Sequence, residues 1–307
     1  MTFKKPMKAP IESVNTVADF FSYFSWPQRA SLKLDGIRLC SAYGAPFSST
    51  LKTHPNKQVG DAITANKEVW NKDIEIIVGD PTNNPLHRTS GFCRSRSQET
   101  DDLRFYIFDN IEDDVIQLPF EERYKTLINI KETRDSCHNL TYSVLQQVEV
   151  FSLEELLEFE DRAVKAGYEG VMSRNPNGRY KAGRATLLED LIFKVKRMDD
   201  MEGILVDVEE GETNTNEQKV NELGLLKRST MKDGMVPNGR VGTFIVLYKG
   251  EILRVAKGRF SQEQLKEIWE NKSRYLGRAL KFQTMVYGMK DVPRFARAVA
   301  FREAFDM

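Results

Sequence analysis

Residues 31–40 read SLKLDGIRLC, with Leu32, Leu34, Ile37 and Leu39 supplying the apolar positions of extended backbone. Gly36 interrupts the alternation, and a glycine inside a strand pattern marks a bulge or a close approach by another backbone or a ligand. Lys33, Asp35 and Arg38 crowd around that break. Taken alone, the stretch also reads as a surface strand with solvated Lys33 and Arg38 and with Asp35 turning the chain, because charged residues are mostly exposed. The rest of the chain decides between the two readings.

Further strand-like runs follow at 73–80 (DIEIIVGD), 103–111 (LRFYIFDNI), 143–151 (SVLQQVEVF) and 191–197 (LIFKVKR). Helical spacing appears at 11–26, at 119–134 behind Pro119, and most clearly at 152–167. There Ser152 and Glu155 form a capping box and Gly167 ends the run. Strands alternating with helices predict an α+β domain over 1–197. Beyond residue 198 the texture becomes short alternating strands with glycine turns and one helix near 261–277, which predicts a small β-barrel over 198–307. A long polar stretch at about 212–239 interrupts that barrel.

Composition narrows the function. The 307 residues are 40% hydrophobic and 29% charged, as in a globular chain. No apolar run reaches the roughly 20 residues of a membrane-spanning helix, so no membrane partner is expected. MTFKKPMKAP carries lysines without an apolar stretch behind them and does not read as a secretory signal, giving a cytoplasmic expectation with a nuclear one left open. Cys40, Cys93 and Cys137 are widely spaced and the three histidines scattered, against a disulfide framework or a His-based metal centre. Net charge is zero overall, but −3 over residues 1–200 and +9 over 227–307. That asymmetry suggests a polyanion held by the C-terminal third, or merely a solubilising surface.

The chemistry-bearing residues recur at strand ends: Lys33, Asp35 and Arg38, then Glu75, Phe108 with Asp109, Glu169, and Lys194 with Lys196. Spacing of two on a strand turns both lysines toward one cleft. Cations there suit phosphates, carboxylates suit a divalent ion or a ribose hydroxyl, and an aromatic ring suits a base. A lysine crowded by other cations is a candidate nucleophile.

The ordered series KLDGIR (33–38), DIEI (73–76), FYIFD (105–109), EGVM (169–172) and FKVK (193–196) resembles the motif set of the covalent nucleotidyltransferases. Within that group the chain most resembles ATP-dependent DNA ligases of the minimal viral type, and the likeness continues through AGRAT (182–186), NTN (214–216), KRST (227–230) and VPRF (292–295). The resemblance implies an ATP-grasp-like nucleotidyltransferase domain followed by an OB-fold domain. It implies Lys33 as the residue that takes AMP from ATP, with Mg2+ (or Mn2+) assisting. Lys33, Asp35, Arg38, Lys194 and Lys196 would form the catalytic set, Ser31, Leu32, Lys33, Arg38, Glu75, Phe108, Glu169, Lys194, Lys196 and Arg294 would bind nucleotide, and Glu169 would serve a metal. Arg38, Arg184, Lys227, Arg228, Ser229 and Thr230 would contact nicked duplex DNA, which a monomer would encircle using residues 212–239. The source implied is a virus, a phage or a bacterium. An RNA ligase or an mRNA capping enzyme would use the same lysine chemistry, and a non-catalytic single-strand-binding module would use the basic barrel alone. One departure stands out: in PFSSTLKT (46–53), Ser49 occupies the place of a family arginine, leaving Lys52 or His54 to supply its phosphate contact.

Overall fold

The computed structural model describes residues 5–12, 19–196, 198–221, 224–285 and 293–302. It forms two compact units, Met1–Lys196 and Arg197–Met307.

Along the first unit run β1 (Gln28–Leu32), β2 (Ile37–Ala42), β3 (Ala45–Ser48), α1 (Lys57–Ala65), β4 (Lys72–Val78), α2 (Leu86–Arg94) and β5 (Leu103–Asn110). Then come α3 (Phe120–Lys125), β6 (Thr133–Asp135), β7 (Leu140–Val144), β8 (Val148–Val150), α4 (Leu153–Lys165), β9 (Val171–Arg174) and β10 (Ile192–Val195). They build two sheets, one ordered β10-β9-β1-β8 and the other β3-β2-β4-β5-β7-β6.

SLKLDGIRLC is therefore not one bulged strand. Its first residues belong to β1 in the four-stranded sheet and its last to β2 in the six-stranded sheet, so Lys33–Gly36 is the passage between sheets. Of the close approaches expected at the glycine, by another backbone or by a ligand, the structure shows the backbone one. A Cβ on Gly36 would lie 2.2 Å from the Ile76 carbonyl oxygen and 2.6 Å from Ile77 Cδ1, so the close neighbour is β4 itself. The run 143–151 splits in the same way into β7 and β8, one in each sheet.

Each sheet buries one face. Ile74, Ile76, Phe105 and Ile107 pack with Val59 and Ile63 of α1 and Phe92 of α2. Ala30, Val171, Phe193 and Val195 pack with Phe20, Leu156 and Ala163. Each buried Val, Leu, Ile or Phe among them contributes about 1.5–3 kcal/mol relative to exposure. α4 starts where expected, with Glu155 N–H donating to Ser152 Oγ at 3.2 Å, but only that half of the expected box forms, because the Glu155 carboxylate accepts from Phe151 N–H at 2.8 Å; the helix ends at Gly167 with a φ of 92°. The other two helices are shorter than their sequence spacing predicts. Within 11–26 the described residues hold one short 3-10 turn, Phe20–Tyr23, and 13–18 lie outside the described residues. α3 stops at Lys125, where Thr126 Oγ1 donates to the Arg123 carbonyl at 2.6 Å and the chain continues in tight turns.

The second unit holds β11 (Asp199–Asn214), β12 (Gln218–Val220), β13 (Leu226–Arg228), β14 (Met235–Tyr248), β15 (Glu251–Ala256), α5 (Gln262–Glu270), β16 (Ala279–Met285) and β17 (Arg294–Phe301). Five strands close a barrel in the order β11-β14-β15-β17-β16 around Leu205, Phe244, Val246, Val255, Phe282 and Ala298. The expected helix 261–277 is α5 followed by a single 3-10 turn, Lys272–Arg274. The polar stretch is built, not a plain loop: β11 and β14 stay paired as far as Asn214 opposite Met235, and β12 and β13 pair beyond them. The expected α+β unit followed by a small all-β barrel is the architecture observed.

Candidate active site

In the first unit a pocket of about 270 Å³ is walled by residues of both sheets. Ser31, Leu32, Lys33, Arg38, Glu75, Phe108, Arg184 and Lys194 line it, so eight residues singled out from the sequence come together there. Asp35 is buried and is not among its walls.

Lys33 leaves β1 at the passage between sheets. Its backbone N–H donates to Gly170 O at 2.9 Å and its carbonyl accepts from Glu169 N–H at 3.3 Å, continuing the β1–β9 ladder. The side chains meet as well: Lys33 Nζ donates to Glu169 Oε2, and Lys196 Nζ donates to Glu169 Oε1 at 2.8 Å. Burial pushes the Glu169 carboxyl up, but the charges of Lys33 and Lys196 outweigh it and hold the group below its ordinary range. Gly170, with a φ of 144°, lets this corner close, since a Cβ there would lie 2.4 Å from Val195 O.

Glu75 stands in the middle of β4, not at a strand end, on the face opposite Ile74 and Ile76. Its Oε1 accepts from Gly36 N–H at 3.1 Å. Burial pushes its carboxyl up to about 7 against the pull of Lys33 and Arg38. Arg38 is clamped by Asp73, with Nε donating to Oδ1 at 2.8 Å and Nη2 to Oδ2, while Nη1 donates to Met7 O. Tyr180 OH donates to the same Asp73 at 2.9 Å.

Phe108 is only 9% exposed yet forms part of the pocket wall. It occupies a β-bulge: Asp73 pairs with Asp109 and Ile74 with Ile107, leaving Phe108 unmatched. The bulge breaks the period of two, so adjacent residues both meet Arg174. Arg174 Cζ lies 5.4 Å from the Phe108 centroid, and its Nη1 donates to Asp109 Oδ2 at 2.6 Å. Arg123, fully buried, holds Asp109 from the other side at 2.8 and 3.0 Å.

Lys194 and Lys196 diverge in their bonds. Lys196 reaches Glu169, whereas Lys194 Nζ donates to Pro10 O at 2.6 Å and Ile11 O at 3.1 Å. Burial, then Lys196, Arg184 and Lys33, push the Lys194 ammonium down to about 8. His54 supplies no cation in place of the arginine expected at Ser49, because it is buried and held down to about 4 by desolvation.

In the second unit, Lys227 and Arg228 lie on β13, with Ser229 and Thr230 just beyond it. The NTN segment organises this cluster: Asn214 Nδ2 and Asn216 Nδ2 donate to Ser229 O at 2.7 and 3.1 Å, and Arg228 donates to Asn216 O. Lys227 is exposed. Arg294 opens β17, and its side chain, like residues 286–292, lies outside the described residues.

Sequence reasoning passed over Lys8, Asp73, Arg174 and Tyr180. Asp73 carried one available signal, being two residues before Glu75 on one strand and so on its face. Arg174, three residues beyond EGVM's glycine-valine pair, had none without the sheet pairing. Among the described residues no group of three or more His, Cys, Asp or Glu could hold a metal ion.

Residues 6–196 match the family model described as ATP dependent DNA ligase domain. Curated DNA ligases of African swine fever virus, from isolates Tick/Malawi/Lil 20-1/1983 and Warthog/Namibia/Wart80/1980, are each 34% identical over 130 residues, 41% of this chain. The matched stretch spans only 30% of those relatives' length. The crystal structure of Chlorella virus DNA ligase-adenylate is 25% identical with a TM-score of 0.53, covering 98% of this chain and 99% of that one. A Lig E DNA ligase, solved in a study of DNA binding with a minimal scaffold, shares the fold at 19% identity with a TM-score of 0.66, over 98% of this chain and 100% of that one. The chain belongs to the ATP-dependent DNA ligase domain family.

Proposed function

We propose that this chain is an ATP-dependent DNA ligase that seals 3′-OH/5′-phosphate nicks in duplex DNA, acting as a monomer that encircles its substrate. The observation that carries the reading is Lys33, fixed to Glu169 through backbone and side chain at the edge of a pocket walled by Arg38, Glu75, Phe108 and Lys194. In the first step Lys33 Nζ forms a bond to the α-phosphorus of ATP as the bond to pyrophosphate breaks. The ammonium must shed a proton before attack, and Glu169 is the acceptor that the geometry offers. Phe108 offers a face for the adenine, and Glu75 reaches the ribose once ionised. Ser31 lines the same wall, where it can bond the adenine edge. Lys194, with Arg184, would hold phosphate oxygens.

The AMP then passes to the nick 5′-phosphate, and the 3′-OH displaces it to form the phosphodiester. A Mg2+ ion here would be held chiefly by substrate phosphates with one or two carboxylates, not by a dedicated metal cage. Glu169 is the carboxylate that would hold it, in exchange for one of the two ammoniums that occupy its oxygens, and the bound ion would neutralise charge on those phosphates. The ribbon at 212–239, with Lys227 and the Ser229–Thr230 turn, would contact the DNA backbone. No helix among the described residues is long and apolar enough to cross a membrane. A cytoplasmic or nuclear site of action is part of the proposal.

Intact mass after incubation with ATP and Mg2+ tests the reading, which expects one added AMP lost by Lys33→Ala. Label from GTP alone would overturn it in favour of a capping activity. Sealing of nicked RNA but not nicked DNA would overturn the choice of polymer.

A further inference from the structure

The cations around the pocket fall into two classes. Lys33 and Lys196 share the Glu169 carboxylate, Arg38 is paired with Asp73, and Arg174 shares Asp109 with Arg123. Lys8, Arg184 and Lys194 also line the pocket, yet among the described residues none of the three is bonded to a carboxylate. Arg184 Nη1 donates to Ala9 O at 2.8 Å, and Lys194 Nζ donates to the carbonyls of Pro10 and Ile11. Glu12 favours the Lys194 charge, but by less than burial, Lys196, Arg184 and Lys33 oppose it.

One short segment organises all three. Lys8 N–H donates to Gly183 O at 2.7 Å and Lys8 O accepts from Ala185 N–H at 2.8 Å, which sets Lys8 directly against Arg184 as a parallel bridge. The carbonyls of residues 9–11 then hold the other two side chains. Lys8 is half-buried, and burial together with Arg38 and Arg184 pushes its ammonium down. Three like charges gathered with no carboxylate bonded to any of them repel one another, and an anion arriving among them relieves that cost.

We propose that Lys8 is a phosphate-binding residue, forming an anion seat with Arg184 and Lys194. The inference rests on the ligase reading above. The neighbouring candidates are weaker: His54 is buried and held down to about 4, and Lys52 is exposed on the turn after β3 and does not line the pocket. The phosphate is either that of the nucleotide or that at the 5′ end of the nick. Both present oxygens to the same ammonium.

The test compares Lys8→Ala, Lys8→Arg and Lys52→Ala with the unaltered chain. AMP loading is measured against ATP concentration, and binding is measured on nicked duplexes ending in 5′-phosphate or 5′-hydroxyl. Loss of one charge-assisted bond predicts a change of about tenfold or more for Lys8→Ala, largely restored in Lys8→Arg. A rise in KM for ATP assigns the seat to the nucleotide. Loss of preference for 5′-phosphate over 5′-hydroxyl assigns it to the nick. The inference is overturned if neither quantity moves, if Lys52→Ala carries the loss instead, or if Lys8→Arg is as damaged as Lys8→Ala. An unaltered chain that takes up no AMP would sink the ligase reading itself, whereas normal loading with an indifferent Lys8 would sink this inference alone.

Discussion

Lys33 and Glu169 are joined twice, the ammonium donating to the carboxylate and the Glu169 N–H donating to the Lys33 carbonyl at 3.3 Å. The backbone bond fixes where both side chains start, so only their own torsions remain to be set for the pair to form. Lys196 shares the same carboxylate at 2.8 Å. Glu169→Gln keeps the shape and removes the charge. It is expected to lower AMP loading by about 100-fold or more while leaving the thermal midpoint within a few degrees. A variant that loads AMP at the normal rate would remove Glu169 from the first step.

Glu75 ties pH to both stability and activity. Its folded pKa of about 7 lies above that of an ordinary carboxyl, so between the two values the folded state binds more protons than the unfolded state. Its contribution is therefore retained at low pH and is lost as pH rises through about 7. Glu75→Gln removes that loss, and its thermal midpoint should fall less than that of the unaltered chain between pH 5 and pH 8. The same substitution should weaken ATP binding at pH 8, where the ionised carboxylate would meet the ribose. Parallel melting curves for the two proteins across that range would contradict the assignment.

Lys194 sets the opposite limb. Its ammonium titrates near 8, so its charge, and with it phosphate affinity, declines above that pH in the free protein. KM for ATP should rise from pH 8 to pH 9.5. Lys194→Arg, which keeps its charge throughout, should flatten that rise. An unchanged pH profile in Lys194→Arg would show that some other group controls the limb.

Gly36 separates a structural demand from a catalytic one. Alanine there would press its Cβ into the Ile76 carbonyl, so the Lys33–Gly36 passage must shift away from β4. Overpacking of this kind costs about 1–3 kcal/mol. Gly36→Ala should lose stability on that scale and also slow AMP loading, because Lys33 rides on the same passage. Full stability in a denaturant titration would mean that β4 yields instead.

Much of the first unit was legible because its strands alternate and because Ser152 with Glu155 marks a helix start that local chemistry alone can set. The cut inside SLKLDGIRLC was not legible, since the same alternation continues across two strands in different sheets. The Phe108 bulge was equally hidden, for it exists only as a mismatch between β4 and β5. The second layer of the site was out of reach for a different reason. Met7 N–H meets Tyr180 OH across 173 residues and Tyr180 OH meets Asp73 across 107, and no local pattern encodes such distances. Lys8 failed as a signal because a lysine near a chain end looks like solvated surface until its neighbours are known.

The ribbon of the second unit gives the last prediction. β11 and β14 remain paired to Asn214 and Met235, and the Asn214 and Asn216 side chains pin the Ser229 carbonyl, so the segment has a shape of its own beside the barrel core. Among the described residues, none of the barrel's buried residues lies between 212 and 239. Replacing 212–239 by a short turn should therefore leave the barrel folded and AMP loading within about twofold, while weakening binding to nicked duplex by about 100-fold at moderate salt. Lys227→Ala should reproduce part of that loss and lower the salt dependence by about one phosphate contact. If removal of the ribbon reduced AMP loading and nick binding equally, the ribbon would be a structural part of the unit and not a DNA contact.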